Sequence, residues 1–321
     1  MNLRTLADRA LEVPVVTSFT NIGYDARRRL DRWAPLDDYD LTGRVIVLTG
    51  ATSGLGRSAA ETFARLGATL VCVGRNADRN ESVVADIVDA TGNDRVSQIA
   101  CDMGELDQVR SLAAEILTRH DRVDVLVHNA GALSVERRET SDGTEQTVAS
   151  QVVGPFLLTH LLLDRLAESA PSRVITMSSG GMYAAGLTVS RLEMTDDDYN
   201  GTEQYARAKR AQVTLNEMLA ERMADRGVSF HAMHPGWADT PGVEEALPTF
   251  RKIVGPFLRT PEQGADTLVW LAADDEPLDH NGAFWLDRRR RSIHKLPTTG
   301  STDTPERRRK LWDWAAQRAG V

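Results

Sequence analysis

The sequence predicts a single α/β domain built on a doubly wound, mostly or fully parallel sheet of seven strands with helices on both faces. Short apolar runs alternate with helix-periodic segments over most of the 321 residues. The runs are apolar at consecutive positions, which is typical of strands that are buried on both faces. A glycine-rich turn joins the first run to the first helix, as in sheets that bind ligands at their carboxyl edge.

The elements follow one another without a long linker or an internal repeat. The apolar runs predict strands at 44–48, 69–74, 96–102, 123–128, 173–178, 228–234 and 283–287. Helical periodicity predicts helices at 57–66, 77–90, 106–120, 143–168, 203–225 and 261–273. The last helix has a proline in its first turn, where a missing N–H removes no intrahelical hydrogen bond.

We therefore expect one domain at 43–287 with additions that belong to it. An N-terminal arm at 1–42 should pack on the core, and a loop-rich region at 181–202 should border the ligand edge of the sheet. A C-terminal extension at 288–321 should end in a helix at 305–318. The basic run that opens this extension, Arg288 to Arg291, is expected to be a solvated face.

The composition excludes several classes of function. A net charge of −8 disfavours nucleic acid or an anionic membrane as the main partner. Cys72 and Cys101 lie in or at the end of apolar strands and can build neither a disulfide framework nor a metal cluster. No stretch has the roughly 18 uninterrupted apolar residues of a membrane helix, and the N-terminus lacks a signal-peptide core. We expect a cytoplasmic protein and leave open a peripheral membrane contact through the first 40 residues.

The turn Thr49 to Gly56 (TGATSGLG) predicts a phosphate cradle. Backbone N–H groups at a helix start lack partners, and the helix dipole favours an anion. Glycines permit the tight turn and the close approach of a pyrophosphate. The spacing Gly-x-x-x-Gly-x-Gly differs from the common Gly-x-Gly-x-x-Gly, but the ligand that we expect is again a dinucleotide.

Tyr205 and Lys209 lie four positions apart in a predicted helix and therefore share one face. An ammonium beside a phenol stabilises the phenolate and lowers its pKa, so the phenol can exchange a proton with an alcohol or a carbonyl oxygen. The spacing alone is weak, because most such pairs are surface contacts. It gains weight because hydroxyl, amide and glycine residues end three strands at the same sheet edge: Ser178–Ser179, Asn129–Gly131 and His234–Trp237.

The combination of TGATSGLG, HNAG, SSGG, YARAK and HPGWADT resembles the short-chain dehydrogenase/reductase superfamily, and the surrounding sequence is similar to its retinol dehydrogenase-like group. The motifs extend over about three quarters of the chain. The resemblance implies a Rossmann-type fold and hydride transfer between a nicotinamide cofactor and a carbonyl or alcohol. In many relatives the two long helices also form the interface of a homodimer. The resemblance implies the same interface here, unless the C-terminal extension covers these helices.

The resemblance implies four catalytic residues. Tyr205 would be the general acid in reduction, and Lys209 would lower its pKa and hold the nicotinamide ribose. Ser179, rather than Ser178, would orient the substrate oxygen. Gln151 stands where the family has an asparagine that kinks the helix and fixes a water in the proton relay. The longer amide serves from a shifted position or weakens that relay.

The resemblance also implies a set of cofactor contacts along the sheet edge. The pyrophosphate, adenine, ribose and nicotinamide contacts would come from Gly50, Ser53, Gly54, Leu55, Gly56, Arg57, Arg75, Asn76, Asp102, Met103, Asn129, Ala130, Gly131, Tyr205, Lys209, Pro235, Gly236, Trp237 and Thr240. No metal site is expected. At the end of the second strand Arg75 replaces the acid that would bind a ribose 2′-hydroxyl, so a 2′-phosphate and hence NADP(H) is favoured over NAD(H).

We therefore predict an NADP(H)-dependent oxidoreductase that acts on a small, apolar ketone, aldehyde or alcohol. A nucleotide-binding sensor or interaction protein with this fold and little catalysis is the alternative, which only Gln151 favours. A sugar-nucleotide epimerase also uses Tyr-x-x-x-Lys, but the three residues between Gly50 and Gly54 disfavour it.

Overall fold

An eight-stranded sheet forms the centre of the protein, for which a computed structural model describes residues 3–246 and 248–321. The strand order is β3-β2-β1-β4-β5-β6-β7-β8. The strands are Val45–Thr49 (β1), Thr69–Gly74 (β2), Val96–Ala100 (β3), Val125–His128 (β4), Ser172–Met177 (β5), Val228–Met233 (β6), Phe284–Leu286 (β7) and Arg289–Arg291 (β8). Strands β1 to β7 run parallel, as their apolar sequences predict, and β8 is antiparallel to β7.

The eighth strand corrects the prediction of a seven-stranded sheet. Because β8 consists of three arginines, no alternation of apolar residues marks it in the sequence. Asp287 and Arg288 form the turn between β7 and β8 with φ of 56° and 51°, the left-handed pair typical of a two-residue hairpin. Most of the run is therefore not a solvated face, since the side chains of Arg288 and Arg291 are only 6% and 5% exposed and only Arg290 in the run is exposed.

Helices cover both faces of the sheet in the described ranges. They are Leu3–Glu12 (α1), Val15–Phe19 (α2), Asn21–Asp31 (α3), Gly54–Arg65 (α4), Ala77–Thr91 (α5), Leu106–Arg119 (α6), Gln146–Val148 (α7), Gly154–Glu168 (α8), Gly201–Arg222 (α9), Pro241–Ala246 (α10), Pro248–Val254 (α11), Pro261–Ala273 (α12), Pro297–Gly300 (α13) and Pro305–Ala319 (α14). One apolar cluster packs α6, α8, α9 and α14 on one face of the sheet. A second cluster packs α4, α5 and α12 on the other.

The helix predicted at 143–168 contains an irregular segment. Residues 149–153 form a π-helical turn between α7 and α8, and Gln151 lies at its centre. Single π turns within helices are frequent at functional sites. The continuous run Gln146–Glu168 is long and apolar enough to cross a membrane by length and composition, but 78% of its most apolar window is buried inside the fold.

The C-terminal helix α14 packs across both long helices, α8 and α9. Leu311 and Ala315 of α14 are fully buried. Trp312 lies edge-on to Phe156 of α8 at 5.1 Å, and the Arg222 guanidinium of α9 stacks 3.9 Å from the Trp312 ring. Helix α14 therefore covers part of the surface of α8 and α9 that the family resemblance implies as a homodimer interface.

Candidate active site

The glycine-rich turn is shaped by close contacts that exclude side chains. Gly50 has φ of +70°, and a Cβ on it would lie 2.8 Å from the Cα of Ala130. A Cβ on Gly56 would lie 1.9 Å from the Gly50 carbonyl oxygen and 2.5 Å from Nδ2 of Asn129. The turn from β1 into α4 can therefore form only with glycine at these positions.

The first turn of α4 is open to an anion. Ser53 is the residue before the helix, and its side chain caps no backbone N–H. By contrast, Asn76, Asn200, Thr260 and Thr304 cap α5, α9, α12 and α14 through their side chains. The leading N–H groups of α4, which include those of the predicted residues Leu55 and Gly56, are left for a ligand.

Asn129 holds the glycine turn rather than pointing freely into the cleft. Its Nδ2 donates to the carbonyl oxygens of Thr49 and Gly50, both at 3.0 Å. The Thr49 hydroxyl accepts in return from the backbone N–H groups of Asn129 and Ala130. The fourth strand and the glycine turn are thus joined, as expected for residues at one sheet edge.

At the adenosine end, the two predicted arginines differ in their availability. Arg57 forms ion pairs with Glu61 at 2.9 Å and Asp86 at 3.0 Å. Arg75 is exposed and makes no hydrogen bond or ion pair within the described part of the chain. Binding of a phosphate by Arg57 would break its ion pairs with Glu61 and Asp86, whereas Arg75 has no described ion pair to break.

The other predicted adenosine residues lie beside these arginines at the ends of β2 and β3. Asn76 caps α5 by accepting from the N–H of Arg79 at 2.8 Å. Asp102 follows β3, and its side chain accepts from the N–H of Gly104 at 2.9 Å. Met103 is buried in the apolar cluster on one face of the sheet, and its carbonyl oxygen packs against Gly154.

Ser179 and Tyr205 converge in front of β5. A Cβ on Gly181 would lie 3.6 Å from the Ser179 hydroxyl and 3.8 Å from the Tyr205 ring. Burial raises the pKa of the Tyr205 phenol, and the hydrogen bond with Ser179 lowers it in part. Ser178 faces away, because its buried hydroxyl donates to the carbonyl oxygen of Lys209 at 3.4 Å.

Lys209 lies below this pair with its ammonium 5.3 Å from the centre of the Tyr205 ring. Its Nζ donates to the carbonyl oxygen of Met177 at 2.9 Å. Burial lowers the pKa of Lys209 to about 7, since an ammonium loses hydration inside the protein. The expected lowering of the Tyr205 pKa by Lys209 is not found in the protein alone, where burial of the phenol dominates.

Gln151 is fully buried in the π turn beside Lys209. Its Nε2 donates to the carbonyl oxygen of Ala132 at 2.8 Å, and its Oε1 has no hydrogen-bond partner among the residues that the structure describes. A Cβ on Gly131 would lie 2.9 Å from this Oε1 and 3.3 Å from Nζ of Lys209. Oε1 of Gln151 and Nζ of Lys209 therefore both lie close to Gly131, which places the Gln151 amide on the Lys209 side of the active centre.

The loop after β6 returns to the glycine turn. A Cβ on Gly54 would lie 3.3 Å from the Thr240 side chain. Gly236 has φ of +79°, and Pro235 accepts from Arg259 at 3.1 Å. Trp237 packs edge-on against Phe19 at 5.7 Å. The residues predicted to contact the nicotinamide thus lie between the glycine turn and the arm. The Trp237 ring itself packs against Phe19.

Several residues that build this centre were given no role there from the sequence. Arg210 is fully buried and donates to the carbonyl oxygens of Met182 and Ala185, which fixes the segment after Ser179. His234 accepts from the backbone N–H of Gly180 at 3.1 Å. The HPG motif pointed to His234, but an arginine next to Lys209 on a helix carries no pattern that predicts burial.

Known proteins of similar sequence identify the family of this chain. The family model of the short chain dehydrogenases matches residues 44–249. The chain belongs to this family. It is 34% identical to human dehydrogenase/reductase SDR family member 12 over 91% of either chain. It is 31% identical to human retinol dehydrogenase 13 over 88% of this chain and 86% of that protein.

Solved structures show the same fold. A short-chain dehydrogenase from Escherichia coli CFT073, crystallised with NADPH, has a TM-score of 0.64 and 26% identity over 80% of this chain and all of its own. The membership that the motifs predicted, including the likeness to the retinol dehydrogenase-like group, is confirmed. The Rossmann-type fold is confirmed as well, with the eighth strand as its departure.

Proposed function

We propose that this protein is an NADP(H)-dependent oxidoreductase that interconverts a carbonyl and an alcohol on a small, apolar substrate. The observation that carries the proposal is the convergence of the Ser179 hydroxyl and Tyr205, with Lys209 behind them, in front of β5. Membership of the short chain dehydrogenase family supports the reaction class. A pure binding protein would have no use for this set of proton-donating side chains.

The residues present fit a dinucleotide in three respects. The glycine turn leaves no room for side chains, no side chain of Ser53 caps the first turn of α4, and Arg75 after β2 has no ion-pair partner among the described residues. Leu55, Gly56 and their neighbours would hold the pyrophosphate by backbone N–H groups. The nicotinamide would supply or accept the hydride. Arg75 would pair with a 2′-phosphate, which supports NADP(H) over NAD(H).

The side chains of Ser179 and Tyr205 position the substrate oxygen and transfer the proton. In reduction, the Ser179 hydroxyl donates a hydrogen bond to the carbonyl oxygen and holds it against Tyr205. As hydride adds to the carbonyl carbon, the phenol of Tyr205 gives its proton to the oxygen, so one hydride and one proton yield the alcohol. Burial favours the protonated phenol, which is the form that reduction requires. Oxidation of the alcohol reverses each step.

The apolar character of the substrate is supported by the loop after β6. Trp237 packs edge-on against Phe250 at 5.0 Å, so aromatic surface borders the nicotinamide end. A small ketone, aldehyde or alcohol with an apolar body is the substrate class that such a surface accepts.

The test is turnover by the purified protein with NADPH and a panel of apolar ketones and aldehydes, followed by the loss of cofactor absorbance. We expect turnover, its loss by at least a thousandfold in Tyr205→Phe, and unchanged NADPH binding by that variant. Tyr39→Phe is the matched control, because the Tyr39 hydroxyl bonds Asp274 outside the centre. Tight NADPH binding without turnover in the wild type would instead favour the nucleotide sensor, the alternative that Gln151 raises.

A further inference from the structure

We propose that the N-terminal arm is a positioning element of the active centre, acting through Phe19 on the backbone that follows Ser179. This inference rests on the proposed function, since it concerns the same centre. Phe19 is the last residue of α2 and is 4% exposed. A Cβ on Gly180 would lie 2.8 Å from Cε2 of the Phe19 ring, so the ring seats directly on the Gly180 backbone.

Gly180 is also held by His234, whose ring touches that of Phe19. Nδ1 of His234 accepts from the Gly180 N–H at 3.1 Å, and the Phe19 ring meets the imidazole edge-on with 4.4 Å between centroids. A Cβ on Gly180 would also lie 2.9 Å from Nε2 of His234. The residue after Ser179 therefore packs against a pair of touching rings, and one of them belongs to the arm.

The same arm residues hold the loop at the nicotinamide end. The backbone N–H of Trp237 donates to the Phe19 carbonyl oxygen at 2.6 Å. The Arg259 guanidinium donates to Ser18 and Thr20, on either side of Phe19, and also to Pro235. One buried arginine thus joins the arm to the loop after β6.

A buried ionic cluster locks the arm in place. Asp287 accepts from Arg259 at 2.6 Å and from Arg27 of α3 at 2.5 Å, and all three side chains are at most 1% exposed. Arg27 also pairs with Asp8 of α1 at 2.9 Å. Asp8 also pairs with Arg289 and Arg291 of β8, so each of the two carboxylates faces at least two cations and its buried charge is compensated. Asp287 has left-handed φ in the β7–β8 turn, a conformation that such surrounding contacts can hold.

A purely structural arm would lower stability when weakened and would leave the centre alone. A positioning arm also loosens the backbone at Gly180. Amide hydrogen exchange of the peptide 178–184 in the full chain separates the two, because the Gly180 N–H is protected by the His234 contact. Phe19→Ala removes the ring and Phe19→Leu keeps most of its bulk. Phe156→Ala is the matched control, since Phe156 is also 4% exposed and edge-on to an aromatic ring.

We expect Phe19→Ala to speed exchange at Gly180 at least tenfold and to lower kcat at least tenfold, with KM for NADPH within threefold. Phe19→Leu should stay within threefold of wild type in both, and Phe156→Ala should change neither. Equal exchange and kcat in Phe19→Ala and Phe156→Ala, at equal loss of Tm, would overturn the inference. If Phe19→Ala does not fold, Phe19→Val is read in the same way. A wild type without turnover would refute the proposed function, while the exchange rates still decide the role of the arm.

Discussion

The ammonium of Lys209 donates a hydrogen bond to the carbonyl oxygen of Met177, with 2.9 Å between Nζ and that oxygen. The bond joins α9 to the last residue of β5, two positions before Ser179. It therefore fixes Tyr205, one helical turn earlier, relative to Ser179. The cost is a buried cation, since burial lowers the pKa of Lys209 to about 7 from its ordinary 10.5.

This depressed pKa predicts how stability changes with pH. Between pH 7 and 10.5 the unfolded chain binds the Lys209 proton and the cofactor-free folded protein does not, so this group makes stability rise with pH in that window. The free energy of unfolding of the wild type, relative to Lys209→Met, should increase on the order of 3 kcal/mol from pH 7 to pH 10. Urea unfolding at a series of pH values measures the difference. Parallel curves for the two proteins would show that Lys209 keeps an ordinary pKa.

The two arginines near the adenosine end should contribute unequally to cofactor choice. Arg75→Asp removes the free cation and introduces a carboxylate that repels a 2′-phosphate, so Kd for NADPH should rise roughly 10- to 100-fold. Arg57→Ala should raise it less than threefold, because Arg57 is already paired with Glu61 and Asp86. Titration with NADPH and NADH by intrinsic fluorescence measures both. An unchanged NADPH-to-NADH ratio in Arg75→Asp would show that Arg75 does not meet the 2′-phosphate.

Gln151 should support the proton path from the Lys209 side. Gln151→Ala removes the amide that bonds Ala132 and leaves Lys209 without its polar neighbour, so kcat should fall roughly 10- to 100-fold. Gln151→Asn keeps an amide and should lose less. Gln98→Ala is the control, because Gln98 lies in β3 and also carries a buried side-chain oxygen that no described residue hydrogen-bonds. Equal kcat in Gln151→Ala and wild type would assign Gln151 to helix packing alone.

The C-terminal helix should contribute to stability through its buried face. Leu311→Ala creates a cavity against α8 and α9 and should cost roughly 2 to 5 kcal/mol of unfolding free energy. Leu296→Ala, at a leucine that is 50% exposed, should change it by less than about 0.5 kcal/mol. Both are measured by the midpoint of urea unfolding. Similar midpoints for the two variants would mean that α14 detaches before the core unfolds.

The parts of the fold that sequence could predict are those with local patterns. The strand around Ile46 and Leu48 is a continuous apolar run, and Gly50 and Gly56 mark the turn because no other residue fits there. The pair Tyr205 and Lys209 could be placed on one face, since four residues make about one helical turn.

The unpredicted parts depend on contacts between distant positions. Arg27 meets Asp287 across 260 residues of sequence, and neither carries a pattern that names the other. Strand β8 forms because β7 offers an edge and acidic groups of the arm neutralise its arginines. In the sequence Phe19 is one apolar residue among many, and no local pattern predicts the contact of its ring with Gly180.

The central claim is that Tyr205 protonates a carbonyl oxygen as hydride reaches the carbon, and isotope transfer tests it most directly. Single turnovers with NADPH deuterated at the transferable position, analysed by mass spectrometry of the product, report the hydride step itself. We expect one deuterium on the carbinol carbon of the alcohol with wild type and with Tyr39→Phe, and no labelled alcohol with Tyr205→Phe, although that variant still binds NADPH. Labelled alcohol formed by Tyr205→Phe at the wild-type rate would contradict the account.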